Sequence, residues 1–191
     1  MISCYMFTHR FKRSMLEITS DTDYDTLWKY LNPLQTEKLP DNITFRVAAG
    51  KKAYDIIRLY ESGEKFHSQK VIDVLSQFVD MTDKCYPIKI EGGVEEQYYF
   101  IYNLKAYPYL NRKENFYVDK PFYFGVEDSL IPFFGIQDTQ YRIVSEDVKD
   151  ALLKNKVTNI ELMECFGCSK EEYKKIKKSK FVPQIRVYND K

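Results

Sequence analysis

The sequence predicts an α+β fold, a mixed and largely antiparallel sheet with helices packed on it, in which a Ser-capped helix–strand unit is used twice. Three observations carry this. One phrase recurs, as His67-Ser68-Gln69-Lys70-Val71-Ile72-Asp73-Val74-Leu75 and as Val144-Ser145-Glu146-Asp147-Val148-Lys149-Asp150-Ala151-Leu152. Two alternating runs, 86–90 and 97–102, flank Gly92-Gly93 and read as a hairpin. Ser169 and Glu172 have the spacing of a capping box, which starts a helix running to about residue 178.

Each copy of the phrase reads as the same device. An apolar or aromatic lead-in ends at a Ser that can accept from the N–H groups of the next turn, and an amphipathic helix follows. In the first copy Val71, Val74, Leu75 and Phe78 fall on one helical face; in the second, Val148, Ala151 and Leu152 begin the same stripe. A strand is expected after each helix, over 85–90 and 159–164. Two copies are too few for a solenoid, so the inference is a duplicated or pseudo-symmetric framework.

The remaining elements follow in order. Residues 4–8 and 15–19 are strand-like, separated by Arg10, Lys12 and Arg13. Asp21 or Asp23 can cap a helix through Leu27, Trp28 and Leu31, which Asn32-Pro33 stops. Pro40-Asp41-Asn42 marks a turn before the β-branched run 43–47. Residues 50–60 fit either helix or extended chain. From 106 to 135 the crowding of Tyr, Phe and Pro108, Pro121 and Pro132 favours short strands, and 182–188 alternates like a final one.

Composition bounds the function. In 191 residues, 44% hydrophobic and 30% charged, the chain has the chemistry of one globular domain, 1–191, that folds alone. Its 29 basic and 28 acidic side chains leave a net charge of +1, so no global field recruits nucleic acid or an anionic membrane. The 16 Tyr and 13 Phe are unusual, and Tyr suits surfaces that are apolar in body and wet at the tip. The first residues lack a basic, then apolar, leader, and no run is long enough to span a membrane. The cytoplasm, with Cys4, Cys85, Cys165 and Cys168 reduced, is the expected location.

Candidate chemistry is sparse. Cys165-Phe166-Gly167-Cys168 precedes a helix start, where a thiolate could be stabilised, but a zinc site needs two further ligands and Cys4, Cys85, His9 and His67 are not at ligand spacing. His67 adjoins a cap residue and reads as packing. No phosphate loop, zinc-protease helix or nucleophile elbow occurs. Of the carboxylate pairs Glu95-Glu96, Glu127-Asp128 and Glu146-Asp147, the last sits in a helix first turn, where the dipole accounts for it. Lys170, Lys174, Lys175, Lys177, Lys178 and Lys180 read first as a solvated helix face. Tyr98, Tyr99, Tyr102, Tyr107, Tyr109, Phe116, Tyr117, Phe122, Tyr123 and Phe124 read first as core, although alternation that turns Tyr98 and Phe100 inwards would place Tyr99 on a second, wet face. No catalytic, cofactor-binding or metal-binding residue is therefore expected.

Several of these segments together resemble bacterial immunity proteins of polymorphic toxin systems, the families called immunity protein 43 and immunity protein 11. The likeness lies in Tyr54-Asp55-Ile56-Ile57, a turn, the lead-in Phe66-His67-Ser68 and the helix after it. It continues in Phe133-Phe134-Gly135-Ile136, the helix start Ile143-Val144-Ser145-Glu146-Asp147-Val148-Lys149, and Ile160-Glu161-Leu162. It covers about 43–165, and every matching position is structural. The resemblance implies a non-enzymatic cytoplasmic antidote whose partner is a cognate protein toxin, with no small-molecule substrate, membrane or nucleic acid. By residue type and position, Tyr99, Tyr102, Tyr107, Tyr109, Glu95 and Glu96 are the candidate partner-binding residues. Two alternatives stand beside it: a nucleic-acid-binding module using the C-terminal lysines and exposed aromatics, and a thiol enzyme built on Cys165 and Cys168.

Overall fold

The computed structural model describes residues 1–112, 120–127 and 129–190. The fold is α+β, with two sheets and helices at the predicted places, the first of which ends at Trp28 and not at Leu31. The first sheet is built on β1 (Ile2–His9), which pairs antiparallel with β12 (Arg142–Val144) on one side and β13 (Ile160–Cys168) on the other. Beyond β12 lie β11 (Phe133–Ile136) and β9 (Ala106–Tyr107). The free side of β13 is shared by β10 (Tyr123–Gly125) and β14 (Val187–Asn189).

The second sheet runs in the order β6 (Cys85–Pro87), β8 (Tyr98–Ile101), β5 (Lys65–Ser68), β4 (Ile56–Leu59), β2 (Glu17–Thr19), β3 (Phe45–Ala49), β7 (Ile90–Glu91). Its two end strands, β6 and β7, are successive parts of one stretch. That stretch pairs with β8 at its start and with β3 at its end, so the strip closes on itself like a barrel. Alternation then sends Ile18, Phe45, Ile57, Phe66, Tyr86, Tyr98 and Phe100 inside, where they form one core with Leu27 of α1 (Tyr24–Trp28). The expected strand over 85–90 is thus split, because each part serves a different neighbour.

Between the sheets lie α2 (Gln69–Leu75) and α3 (Glu146–Lys154), which pack on each other. Val71, Val74 and Leu75 of α2 join Val148 and Leu152 of α3, Tyr5, Phe7 and Phe133 of the first sheet and Ile56 and Ile101 of the second. Burying a Val or Leu side chain contributes ~1.5–3 kcal/mol, so this shared apolar layer binds the two halves. The other face of the first sheet is covered by Tyr107, Phe122 and Phe124. Helix α4 (Lys170–Ser179) has the expected capping box and buries none of its residues.

The two helix units match to a residue. In one hairpin Ile56 pairs with His67, Ile57 with Phe66 and Arg58 with Lys65; in the other Phe133 pairs with Val144, Phe134 with Ile143 and Gly135 with Arg142. Ser68 N–H donates to the Asp55 carbonyl, and Ser145 N–H to that of Pro132, each at 2.8 Å. A third strand, β8 or β1, pairs with the second strand of the hairpin, and the strand after the helix, β6 or β13, pairs with that third one. Even the tyrosines correspond: Tyr99 of β8 donates its hydroxyl to Gln69, and Tyr5 of β1 donates to Glu146 at 3.3 Å. Gln69 and Glu146 are the first residues of their helices.

Some local expectations need correcting. Ser145 accepts from Val148 N–H as a cap, but Ser68 makes no such bond and its hydroxyl donates to the Asp55 carboxylate at 2.8 Å. The final strand is confined to β14, because its ladder with β13 runs only from Val187 to Asn189. Residues 50–60, ambiguous in sequence, contain the extended β4.

Candidate interaction surface

The six residues selected from sequence do not form one surface. Tyr102 is buried in the barrel core, its ring edge-on to Tyr86 at 5.1 Å. Tyr107 is buried in the opposite outer layer, 4.7 Å from the ring of Phe134, and donates its hydroxyl to the Ser129 carbonyl at 3.1 Å. Tyr109 is half-buried against Phe122, and Tyr99 is half-buried in the inter-sheet layer. Glu95 and Glu96 are exposed in the loop between β7 and β8. Tyr98 and Phe100 do face inwards as expected, but the face that carries Tyr99 is covered by α2, so no wet aromatic face results. Phe116, Tyr117 and Asp128 lie outside the described residues.

The cysteine pair is divided by the strand that contains it. Cys165 and Cys168 both lie in β13, three positions apart, so they point to opposite faces and join different apolar clusters. Burial pushes the Cys165 thiol well above its usual range, away from a reactive thiolate. Both histidines are held neutral at pH 7. Burial, with Arg142 and Lys65 nearby, drives His67 well below 6.5, and its ring lies 5.3 Å from Phe7. Burial with Lys65 and Arg58 lowers His9 to about 4.

The most polar part of the interior has no counterpart among the sequence expectations. Glu64, just before β5, and Arg142 of β12 are each 1% exposed, and their side chains approach to 3.8 Å. Arg142 donates to the Ile101 carbonyl at 3.4 Å and lies over the Phe100 ring at 5.4 Å. Burial pushes the Glu64 carboxyl up, while Arg142 and Lys65 pull it back. Lys65 and Arg142 are equivalent positions of the repeat, which is the one sequence signal that could have pointed here. The site joins the barrel to the first sheet.

On the surface, a different aromatic group stands out. Trp28, the only tryptophan, is 42% exposed, and Tyr24, one turn earlier on α1, is 41% exposed with its ring 5.7 Å away. The Tyr24 hydroxyl bonds Ser62 in the turn between β4 and β5, which also presents Tyr60 at 57% exposure. Carboxylates surround this rim. Asp23 caps α1 and Asp25 lies in its first turn; Glu61 accepts from Thr19 on the neighbouring strand. Asp21 holds Arg46 at 2.7 Å and, with Arg46, lines a recess of about 230 Å³ that Glu91 also borders. The apolar spacing of α1 marks its core face and leaves its outer face undescribed. Trp28 follows Leu27 directly, and on a helix that displaces it by ~100° from the buried stripe, which is a signal carried by the residue order itself.

Compared with protein-family models, curated proteins and solved structures, the chain matches none.

Proposed function

We propose that this protein is an antidote that binds a cognate bacterial toxin domain and blocks it without catalysis, through the rim formed by Trp28, Tyr24 and Tyr60. The observation that carries the reading is that its only tryptophan is displayed at the surface beside two further exposed tyrosines. Trp and Tyr dominate binding hot spots because they bring a large apolar area with few rotatable bonds and one polar tip. The ring of Asp21, Asp23, Asp25, Glu61 and Glu91, against Arg46, favours a basic face on the partner, which speeds encounter and fixes register. A toxin domain that handles nucleic acid has such a face by chemical necessity. The sequence resemblance to immunity proteins supports the same reading independently of the rim.

The test is an affinity capture from the source strain under a high-salt wash, with the wild type and with Trp28→Ala/Tyr24→Ala as baits. One stoichiometric partner held by the wild type is expected, toxic when expressed alone and neutralised by co-expression. The double variant should keep its melting temperature and lose affinity by roughly 30-fold or more, as hot-spot truncation does. Equal retention by both baits would remove the rim from the interface; a captured partner without toxicity would remove the antidote function.

A further inference from the structure

A second recess lies at the β10 edge of the first sheet, and its chemistry is the opposite of the rim's. It has a volume of about 420 Å³ and lies between α4, the segment after it, and the strand end at Tyr123. Lys177 and Lys180 border it from the end of α4, and Lys120 borders it from a segment more than fifty residues away in sequence. Among the described residues none of these lysines has a carboxylate partner and no carboxylate lines the recess. The acids of α4 are at its other end: Glu171 and Glu172 are in the first turn, and Glu172 holds the N-terminal amine at 3.2 Å. A solvated helix face has no need of a third lysine converging from elsewhere.

The walls are aromatic and firm. Tyr123 and Tyr173 lie 5.5 Å apart between ring centres, tilted by 49°, and Phe181 and Val182 stand exposed beside them. Asn111 fastens one wall, donating to the Pro121 carbonyl at 2.7 Å and accepting from Tyr123 N–H at 2.9 Å. The negative end of the α4 dipole opposes an anion here by a fraction of one charge, and three lysines exceed it.

We propose that this recess binds a nucleotide, with phosphate held by Lys120, Lys177 and Lys180 and the base laid against Phe181 and the neighbouring rings. A planar, apolar-faced group carrying negative charge is what aromatic walls and converging lysines accept together. The volume suits a single nucleotide unit, as a free mononucleotide or as part of a single strand. This site is separate from the rim, so its failure leaves the antidote reading standing.

The experiment is fluorescence anisotropy of the full chain with a labelled oligo-dT of about ten nucleotides, in competition with AMP or with poly-glutamate. Binding is expected, with log K falling against log salt at a slope of about −0.7 for one phosphate contact on a single strand. Phe181→Ala should weaken it about 5- to 100-fold by loss of stacking, and Lys177→Glu/Lys180→Glu should weaken it at least tenfold and flatten the slope. These side chains are exposed, so folding is not at stake. Competition by AMP assigns the site to mononucleotides, and binding of the oligonucleotide alone assigns it to strands. No binding up to about 1 mM, unchanged binding by the variants, or equal competition by poly-glutamate would each overturn the proposal.

Discussion

Ser68 and Ser145 hold the same place in two hairpin–helix units with the same strand register, and their hydroxyls bond in opposite senses. Ser145 accepts from the helix it precedes, while Ser68 donates to Asp55. The difference starts at the facing position, where the first unit has Asp55 and the second has Pro132. The Asp55 carboxylate accepts from Ser68, from Lys70 at 2.9 Å, and from both the N–H and hydroxyl of Thr158, which belongs to the chain after α3. A repeated backbone has therefore been given one polar residue that fastens the first copy to the second. The second copy contributes Arg142, which reaches back to Glu64 of the first. Symmetry supplies the scaffold here, and the departures from it supply the joints.

Loss of the Arg142 joint should destabilise the protein most. Replacing Arg142 with Met leaves Glu64 buried beside a methyl group, and breaking a buried pair from one side costs roughly 3–5 kcal/mol. The matched change in the first unit, Lys65→Met, leaves Arg142 beside Glu64 and is expected to cost less, roughly 1–2 kcal/mol. Urea unfolding measures both. Adding Glu64→Gln to Arg142→Met should restore at least half of the loss, because the uncompensated charge goes with it. If the two single variants were equally destabilised, the buried pair would not be the element that distinguishes the units.

Asp55→Asn should come next, at roughly 2–4 kcal/mol, because hydrogen bonds to a charged group are worth about 1.5–3 kcal/mol and several share this carboxylate. Its pH signature separates it from Glu64. Burial alone would raise the Asp55 carboxyl, but the bonds from Thr158, Lys70 and Ser68 outweigh that and hold it below its ordinary 3.8. A depressed folded pKa gives stability that is present above the unfolded value and is lost as pH falls through the folded one. Wild type should thus lose this contribution only below about pH 4, and Asp55→Asn should flatten that part of the curve. Glu64, whose carboxyl is raised, has the reverse dependence: its contribution is present at low pH and fades as pH rises through the unfolded value. An unflattened acid limb in Asp55→Asn would move the linkage to another carboxylate.

Much of this architecture was legible in the chain, and the reasons for the gaps are specific. Val71, Val74, Leu75, Val148 and Leu152 declared their helices by spacing, Gly92-Gly93 declared its hairpin, and Ser169 with Glu172 declared a capping box that the structure contains. Each of those signals is local. The closure of the second sheet is not, since it depends on one stretch pairing with partners more than forty residues apart, and it turned Tyr102 into a core ring. Burial of the outward face of Tyr107 depends likewise on Phe122, Leu130 and Ile131, which pack over it from a stretch with no periodicity. The rim is hidden for another reason: Trp28 reads as part of a helix's apolar set, although its position next to Leu27 turns it outwards.

The two serines themselves are expected to give the mildest losses. Ser145→Ala and Ser68→Ala should each cost about 1 kcal/mol, one by removing a cap and the other by removing a bond to a carboxylate, so their single values do not separate them. Their couplings do. Ser68 and Asp55 share a bond, so Ser68→Ala made in the Asp55→Asn background should cost distinctly less than in wild type, with an interaction energy of about 0.5–3 kcal/mol. Ser145 has no such partner in Pro132, and its cost should be the same in both backgrounds within ~0.5 kcal/mol. A double-mutant cycle by urea unfolding reads this difference. If Ser68→Ala proved additive with Asp55→Asn while Ser145→Ala did not, the assignment of cap and joint to the two serines would be reversed, and with it the account of how the copies diverged.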